Sequence, residues 1–454
     1  MSGVPRRTVD RLVEAGFEAG DAETRAALVD RAVTAFERRT GRPPSWGWIV
    51  PGRIEIVGKH TDYAGGRSLV AAVPRGFALV AGARADDVVA AYDARWEAAM
   101  EVRPADAPES RAFTGWANYV AVVARRLAHN FPGAALGTDL VFASDLPRAA
   151  GLSSSSALVV GVAIAIARRA RLAGRPDWRA ALPTVLDLSG YLGAVENGLS
   201  FGPLTSTSGV GTHGGSEDHT AILASRANRV AAFAYVPVRR SGDAVLSDEW
   251  RFAVMASGIE ADKAGSARAR YNRASLATQA LVDLWRQARS KGVGPPTLGG
   301  ILAEAGAADE LARLAARRGV GDFAADELER RLAHFVAEDG RVPAMLEAFG
   351  RADAAALGEL SAASQRDAES LLGNQIPETA TLARLAREHG AFAATSFGAG
   401  FGGSAWALVQ ASEAETFASR WRTAYRAAVP AVRDVASFVV RPAPPVTELE
   451  ISEW

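Results

Sequence analysis

Between Pro51 and Gly66 the segment PGRIEIVGKHTDYAGG carries Arg53, Glu55, Lys59, His60 and Asp62 beside a strand-like IEIV run. So many charges there read either as a surface turn or as a site. A second segment, LPRAAGLSSSSALVVG from Leu146 to Gly161, sets four consecutive serines before an apolar helical pattern. The first N–H groups of a helix lack internal partners, and the dipole is positive at that end. Small residues let an anion reach those groups, and hydroxyls add donors, which makes a phosphate cradle. Ser153 alone is explained as an N-cap, but four serines exceed what a cap needs. The third segment, GAGFGG at Gly398–Gly403, fits G-x-G-x-x-G. The residues after it, SAWALVQA, alternate like a strand where a dinucleotide fold needs a helix. It reads as a tight turn, or as a turn that another backbone approaches closely. Nor is the first segment a P-loop: five residues separate Gly52 from Gly58–Lys59, and His60 stands next where Ser or Thr is needed.

These segments need elements to hold them. WGWIV and RIEIV read as strands, and SLVAAVPRGFALVAGAR as two strands broken at Pro74–Gly76. TDLVFASDLP is a strand entering a turn. The helix after the serines carries Arg168, Arg169 and Arg171 at its negative end, and Gly174 can stop it. Periodicity predicts helices over Asp21–Arg38, with Ala26, Leu28, Val29, Ala32, Val33 and Phe36 as the apolar face, and over Trp116–Leu127. The Gly-, Ser- and Thr-rich run Asn197–Gly215 predicts a long loop, a feature more often functional than idle. The second half predicts helices at Ala274–Lys291, Ala307–Arg317, Ala325–Ala337 and Ala354–Leu372, then strands at AFAATSFG, SAWALVQA and VASFVVRPA. RRSGDAVLSD is polar and turn-rich, so two domains are expected, 1–240 and 241–454.

The chain has 454 residues, 48% of them hydrophobic, enough for two domains. Lys plus Arg equals Asp plus Glu at 51 each, so no global field draws it to nucleic acid or an anionic membrane. Cysteine is absent, which excludes disulfides, thiolate zinc sites and a cysteine nucleophile. No apolar stretch approaches about eighteen residues, and MSGVPRRTVDRLVEAGFEAGD lacks the apolar core of a signal peptide. The expected location is the cytoplasm, and the expected partner is a small molecule.

In that order, PGRIEIVGKHTDY, PRAAGLSSSSA and GAGFGG resemble the three motifs of the GHMP kinases, which phosphorylate small alcohols with ATP and use a serine-rich loop in place of a P-loop. The first is most similar to the galactokinase signature P-G-R-V-N-L-I-G-E-H-T-D-Y. WANYV at Trp116–Val120 resembles the galactokinase segment that packs on adenine. The resemblance runs from Trp46 to Leu408. It implies an α+β, two-domain GHMP kinase fold, with a ribosomal-protein-S5-like N-terminal domain, a ferredoxin-like C-terminal domain and the active site between them. It also implies an ATP-dependent kinase for the anomeric hydroxyl of a monosaccharide, with ATP and Mg²⁺ as cofactors and a monomer or weak homodimer as the assembly. The alternatives are a catalytically silent sugar and ATP sensor on the same fold, and a GHMP kinase for a non-sugar alcohol. The intact Arg53, Asp218 and serine run argue against the first; HTDY and WANYV argue against the second.

Roles follow from the resemblance residue by residue. Arg53 stands near the reacting hydroxyl and γ-phosphate, and Asp218, in GGSEDH, is the general base. Asp62 binds sugar hydroxyls, with Lys59, His60, Gly215 and Tyr271 as further substrate residues. Trp116 and Tyr119 face adenine. Gly151, Ser153, Ser154, Ser155 and Ser156 hold ATP phosphates, and Ser155 with Glu196, in AVENG, holds magnesium. The chemistry is coherent. Phosphoryl transfer rests on positioning and charge neutralisation. Mg²⁺ takes hard oxygens and keeps several waters. A carboxylate within reach of a hydroxyl can take its proton, and a nearby Arg can hold it ionised. The plain alternative for Arg53 and Asp218 is a satisfied ion pair.

The chain also departs from the pattern. The family has Glu, contacting the sugar's C6 hydroxyl, where Lys59 stands. An ammonium prefers an anion, so a C6-anionic relative such as galacturonate stands beside galactose as the expected substrate. Otherwise Lys59 swings to solvent. Glu55 replaces an Asn, and His219 a Gln. The stretch from Glu196 to Asp218 is about ten residues longer than usual, which would reshape the sugar pocket or form a flap. His60, His213, Asp218 and His219 suggest a structural zinc, but the motif roles of His60 and Asp218 already account for those two.

Overall fold

A computed structural model of the protein describes residues 6–106, 112–147, 150–259, 266–289, 295–432 and 435–450. The larger sheet contains β1 (Trp46–Val57), β2 (Arg67–Ala83), β3 (Val89–Asp93), β4 (Ala98–Val102), β5 (Thr138–Ser144), β6 (Arg229–Ala234) and β7 (Arg239–Val245). Its path closes with a strand from the far end of the chain, Thr447–Leu449, which pairs with β1. β6 branches onto β2, and β7 onto β6. β3 and β5 run parallel; the other pairs are antiparallel. The expected break at Pro74–Gly76 is absent, and β2 is continuous. Its register to β1 jumps from Gly76–Pro51 to Val73–Gly52, so Pro74 sits in a bulge where no ladder N–H is required.

Helix α1 (Arg6–Glu14), which periodicity did not anticipate, and α2 (Ala19–Thr40) cover one face of this sheet. There Ala26, Val29 and Phe36 pack on Ala72, Ala78 and Val80. The other face takes α3 (Trp116–Asn130), α4 (Ser154–Arg169), α5 (Pro176–Ala181), α6 (Val185–Asn197) and α7 (Glu217–Ala224). Arg148 and Ala149 of the serine motif lie outside the described residues.

The second sheet holds β8 (Trp250–Ala256), β9 (Ala393–Phe397), β10 (Ser404–Gln410) and β11 (Ser437–Val440), ordered β11–β8–β10–β9. Counted within this sheet the order is 4-1-3-2, the ferredoxin-like arrangement. β12 is the returning strand Thr447–Leu449. Before β9 come α8 (Ser266–Ala288), α9 (Leu298–Leu302), α10 (Ala307–Ala315), α11 (Ala325–Gly350), α12 (Ala354–Asp367) and α13 (Pro377–Glu388); α14 (Ala414–Ala428) follows β10. Helices α13 and α14 bury Leu382, Phe417 and Trp421 against Ala394, Ala405 and Ala407. On the opposite face Phe252, Val254, Trp406 and Leu408 join the main core shared with β1. One core therefore seals both sheets.

The helices of the second half form where periodicity places them, with shifted ends. α11 runs past Ala337 and through Pro343, because Val342, Met345 and Phe349 continue its buried stripe. α8 ends at Ala288; Lys291 lies outside the described residues. The turn-rich RRSGDAVLSD is mostly strand β7, so the expected boundary at 240/241 falls inside a strand of the first sheet. No helix of the described residues is long and apolar enough to cross a membrane.

Candidate active site

Strand β1 delivers the first charges. Side chains two apart on a strand share a face, so Arg53 and Glu55 point together. Register shifts between Pro51 and Gly52 and between Glu55 and Val57 bracket the pair, and bulges re-aim side chains. Arg53 is buried. Its Nε donates to Asp218 Oδ1 at 2.8 Å, Nη2 lies 2.7 Å from the same oxygen, and Nη1 donates to the Gly151 carbonyl at 2.5 Å. Glu217 Oε1 stands 3.6 Å from Arg53 Nε. The Arg53 N–H also reaches the Leu152 carbonyl, at 3.3 Å. One arginine thus ties the serine loop to the start of α7.

The serine loop enters α4 through Ser153, at φ 60°, ψ 41°. Ser153 does not cap the helix: its hydroxyl is buried and has no hydrogen-bond partner. Ser154 opens the helix, and the Ser155 hydroxyl bonds the Tyr119 phenol on α3. The Ser156 hydroxyl lies 2.9 Å from Glu196 Oε2 and 3.3 Å from Asp218 Oδ2. The hydroxyl beside Glu196 is therefore that of Ser156, one residue past the expected Ser155. Trp116 packs edge-on against Phe142, ring centroids 5.3 Å apart, and does not line the cleft.

GAGFGG is no dinucleotide loop. It turns between β9 and β10, and Ser404 Oγ donates to the Ala150 carbonyl at 2.5 Å. This is the close approach of a second backbone to the serine loop. The Gly398 N–H also donates to Glu55 Oε2 at 2.7 Å, and Trp406 Nε1–H to the Glu55 carbonyl at 3.1 Å. The second sheet thereby fixes the site end of β1.

The remaining wall continues from β1. Asp62 Oδ2 accepts from the Glu217 N–H at 3.1 Å, and burial, only partly offset by that bond, holds its carboxyl above the usual range. Gly215 passes so close that a Cβ there would stand 2.2 Å from Asp62 Oδ2, so this position takes only glycine. His60 Nε2–H donates to the Ala399 carbonyl at 3.1 Å, leaving Nδ1 to accept from the Tyr63 hydroxyl at 3.0 Å. Tyr271, from α8, closes on His60 with ring centroids 5.1 Å apart. The loop after α6 is pinned. Asn197 Oδ1 accepts from Thr212 Oγ1 and the Gly214 N–H, and Asn272 bonds both Gly211 and His213. Thr212 and Gly214 line the cleft.

Lys59 does not belong to this cleft, which corrects both expectations for it. It is fully buried, pointing neither at a substrate nor at solvent. Its Nζ donates to Ser364 Oγ at 2.5 Å and Thr395 Oγ1 at 3.1 Å, and lies 3.7 Å from Glu338 Oε1. The side chain leaves the strand end toward α11, α12 and β9, where an acceptor set awaits it. Of the histidines suggested for zinc, His219 faces Glu196, Nε2 2.9 Å from Oε2 but off the line of a hydrogen bond. No group of three or more metal-ligating His, Cys, Asp or Glu side chains occurs among the described residues.

Sequence reasoning missed Glu55, Tyr63, Asn197, Thr212 and Glu217 as cleft residues. Two left a signal. Glu55 shares the strand face of Arg53, and Glu217 sits beside Asp218 in the first turn of α7. Both carboxyls are buried. Burial pushes Glu55 up to about 7, against the pull of Arg53, and raises Glu217 well above its ordinary value. The hard oxygens of Ser156 and Glu196 fit a magnesium ion, and the orphaned Ser153 hydroxyl at the positive end of α4 fits a phosphate.

Three family models match the chain: the galactokinase galactose-binding signature over residues 34–83, the GHMP kinase N-terminal domain over 118–189 and the GHMP kinase C-terminal domain over 345–427. Among curated proteins, a galactokinase of Exiguobacterium sibiricum is 27% identical over 86% of this chain and 91% of its own length. Galactokinases of Chloroflexus aurantiacus and Streptomyces coelicolor are each 28% identical, over 84% and 87% of this chain and 88% and 92% of their own. Among solved structures, Lactococcus lactis galactokinase complexed with galactose aligns with TM-score 0.73 at 23% identity, covering 93% of this chain and all of that one. The mevalonate kinase of L. major, complexed with R-mevalonate, aligns with TM-score 0.53 at 15% identity, over 88% of this chain and 98% of its own. The galactose-binding signature lies on β1 and β2 and both GHMP kinase domain models match in order around the cleft, so the chain is similar to galactokinases in its signature and along most of its length, and is a galactokinase-like sugar kinase.

Proposed function

We propose that this protein transfers the γ-phosphoryl group of ATP to the anomeric hydroxyl of galactose or a close neutral relative. The observation that carries the reading is the Arg53–Asp218–Ser156–Glu196 cluster, with a carboxylate, a cation and a hydroxyl within hydrogen-bond reach of one another. Asp218 accepts the proton of the sugar's C1 hydroxyl. The freed oxygen bonds the γ-phosphorus as the bond to the β-bridging oxygen breaks, giving sugar 1-phosphate and ADP. Arg53 neutralises charge beside the reacting atoms, while Asp62, His60 and Tyr271 hold the sugar. Ser153 and Ser154 take phosphate oxygens at the head of α4, and Tyr119 lies on the nucleotide side. Ser156 and Glu196 would hold Mg²⁺, which when bound supplies neutralisation of phosphate charge.

The cleft favours a neutral sugar over a uronate. Its lining includes the carboxyls of Glu55, Asp62, Glu196, Glu217 and Asp218, while Arg53 in the same lining is already paired with Asp218. Lys59, on which a galacturonate preference would rest, is turned away. The test is ATP-dependent phosphorylation by purified protein with galactose and galacturonate side by side. Galactose 1-phosphate alone is the expected product. Turnover of galacturonate alone overturns the neutral-sugar reading, and ADP release with neither sugar overturns the function.

A further inference from the structure

Lys59 and Glu338 have no part in the chemistry above, yet both side chains are 0% exposed. An ion pair this deep gains little stability over well-packed apolar residues, because desolvation offsets the attraction. Its value has to be sought in geometry, and the contacts of Glu338 show what is being held. Glu338 Oε1 accepts the backbone N–H of Gly58 and of Lys59, each at 3.1 Å, and the Ser364 hydroxyl at 2.8 Å. Oε2 accepts from Arg341 at 2.8 Å. Burial alone would raise this carboxyl, but Lys59, His334, Ser364 and Arg341 bring it down to about 2, so it stays ionised as an acceptor.

The backbone it grips is an unusual one. Gly58 has φ 106°, where a Cβ would stand 2.5 Å from the Arg67 carbonyl, and His60 has φ 58°. A non-glycine residue in the left-handed region persists only where its surroundings over-determine it. Helix α11 supplies those surroundings: Glu338 on the N–H groups of 58 and 59, and Arg331 on the His60 carbonyl and, at 3.1 Å, the Tyr63 hydroxyl. The next residues, His60 to Tyr63, contribute a wall of the cleft.

We propose that Glu338, held in place by Lys59, is a positioning residue for the sugar: it fixes the 58–60 turn that presents His60, Asp62 and Tyr63, and so sets sugar affinity without touching the substrate. This rests on the proposed kinase reading only for its kinetic readout.

The experiment compares wild type, Glu338→Gln, Glu338→Ala and the exchange double variant Lys59→Glu/Glu338→Lys by steady-state kinetics and thermal midpoint. Glu338→Ala is expected to raise the sugar KM about tenfold or more, with the ATP KM within about twofold. Glu338→Gln keeps an acceptor oxygen and is expected to shift the sugar KM less. The exchange variant is expected to recover neither the midpoint nor the sugar KM, because an ammonium at 338 accepts from neither N–H and meets the Arg341 guanidinium. Sugar and ATP KM values rising together as the midpoint falls overturn the proposal, as does an exchange variant that restores both midpoint and sugar KM. Hydrogen exchange at the amides of 58 and 59 reads the same contact without turnover. Faster exchange in Glu338→Gln or Glu338→Ala than in wild type is expected, and unchanged exchange overturns the proposal. A wild type that phosphorylates no sugar sinks the kinase reading, while the amide exchange still decides the positioning role.

Discussion

Two buried ion pairs grow from the same short segment, and they do different things. Arg53 meets Asp218, and Lys59 meets Glu338. Both join residues far apart in sequence, and both are largely out of water. In the first pair the carboxylate keeps 18% of its side chain exposed toward the cleft and shares a hydroxyl, Ser156, with a second acid. In the second pair both side chains are fully buried, and Oε1 of the acid alone takes three hydrogen bonds from the protein. A charge that still faces a cleft can act on a substrate. One enclosed by protein donors on every side can only hold the chain. Charge type and spacing do not separate the two; the environment of the carboxylate does.

That contrast can be broken most decisively at Asp218. Asp218→Asn is expected to lower kcat about a thousandfold with little change in thermal midpoint, because it removes the proposed proton acceptor and keeps the shape. If turnover in a coupled ADP assay falls only a few-fold, the reacting pair is as structural as the other one. Next in size, Glu196→Gln is expected to raise the Mg²⁺ concentration for half-maximal rate about ten- to a hundredfold. A titration that superimposes on wild type removes Glu196 from the metal site.

The pH dependence of stability sharpens the comparison, because the two regions carry opposite signs. Burial raises Glu55 beside Arg53 from 4.5 to about 7. The folded state binds that proton more tightly, so its contribution is present below 4.5 and lost as pH rises through about 7. Glu338 falls from 4.5 to about 2, because Lys59 and the other donors outweigh burial. Its contribution is present above 4.5 and lost as pH falls toward about 2. Thermal midpoints across pH are expected to show Glu55→Gln flattening the upper limb and Glu338→Gln the lower one. Both variants flattening the same limb would erase the distinction. The smallest expected effect is at Ser153, whose buried hydroxyl has no protein partner. Ser153→Ala is expected to cost under about 0.5 kcal/mol in stability and to raise the ATP KM about fivefold, the worth of one hydrogen bond. A large loss of stability with an unchanged ATP KM would return Ser153 to a structural role.

Much of this was legible in the residues. The serine run before an apolar helix marked the start of α4 and pointed to a phosphate cradle there, because orphan N–H groups and small side chains are local features of the sequence. Arg53 and Asp62 stood out because charge beside a strand core is costly unless it is used. Less legible were Pro74 and Ser241–Asp248. Pro74 and its turn chemistry suggested a break in β2, but pairing with β1 on either side keeps the strand continuous and leaves Pro74 in a bulge of β2. RRSGDAVLSD looked like a linker, yet β6 recruits most of it as a strand. In each case pairing with a distant segment overrode local propensity.

Sequence alone determined the motif order, the chemistry available at each motif and the kind of fold, because helix starts, strand alternation and glycine turns are set by near neighbours. Tertiary structure alone decided the fate of Lys59, the choice of Ser156 over Ser155 beside Glu196, and the entry of Glu55, Thr212 and Glu217 into the cleft. Each of these depends on which side chains arrive from α6, α7, α11, α12 and β9. Whether a charge finds acceptors, a cleft or water is a property of those arrivals, and no spacing within the segment encodes it.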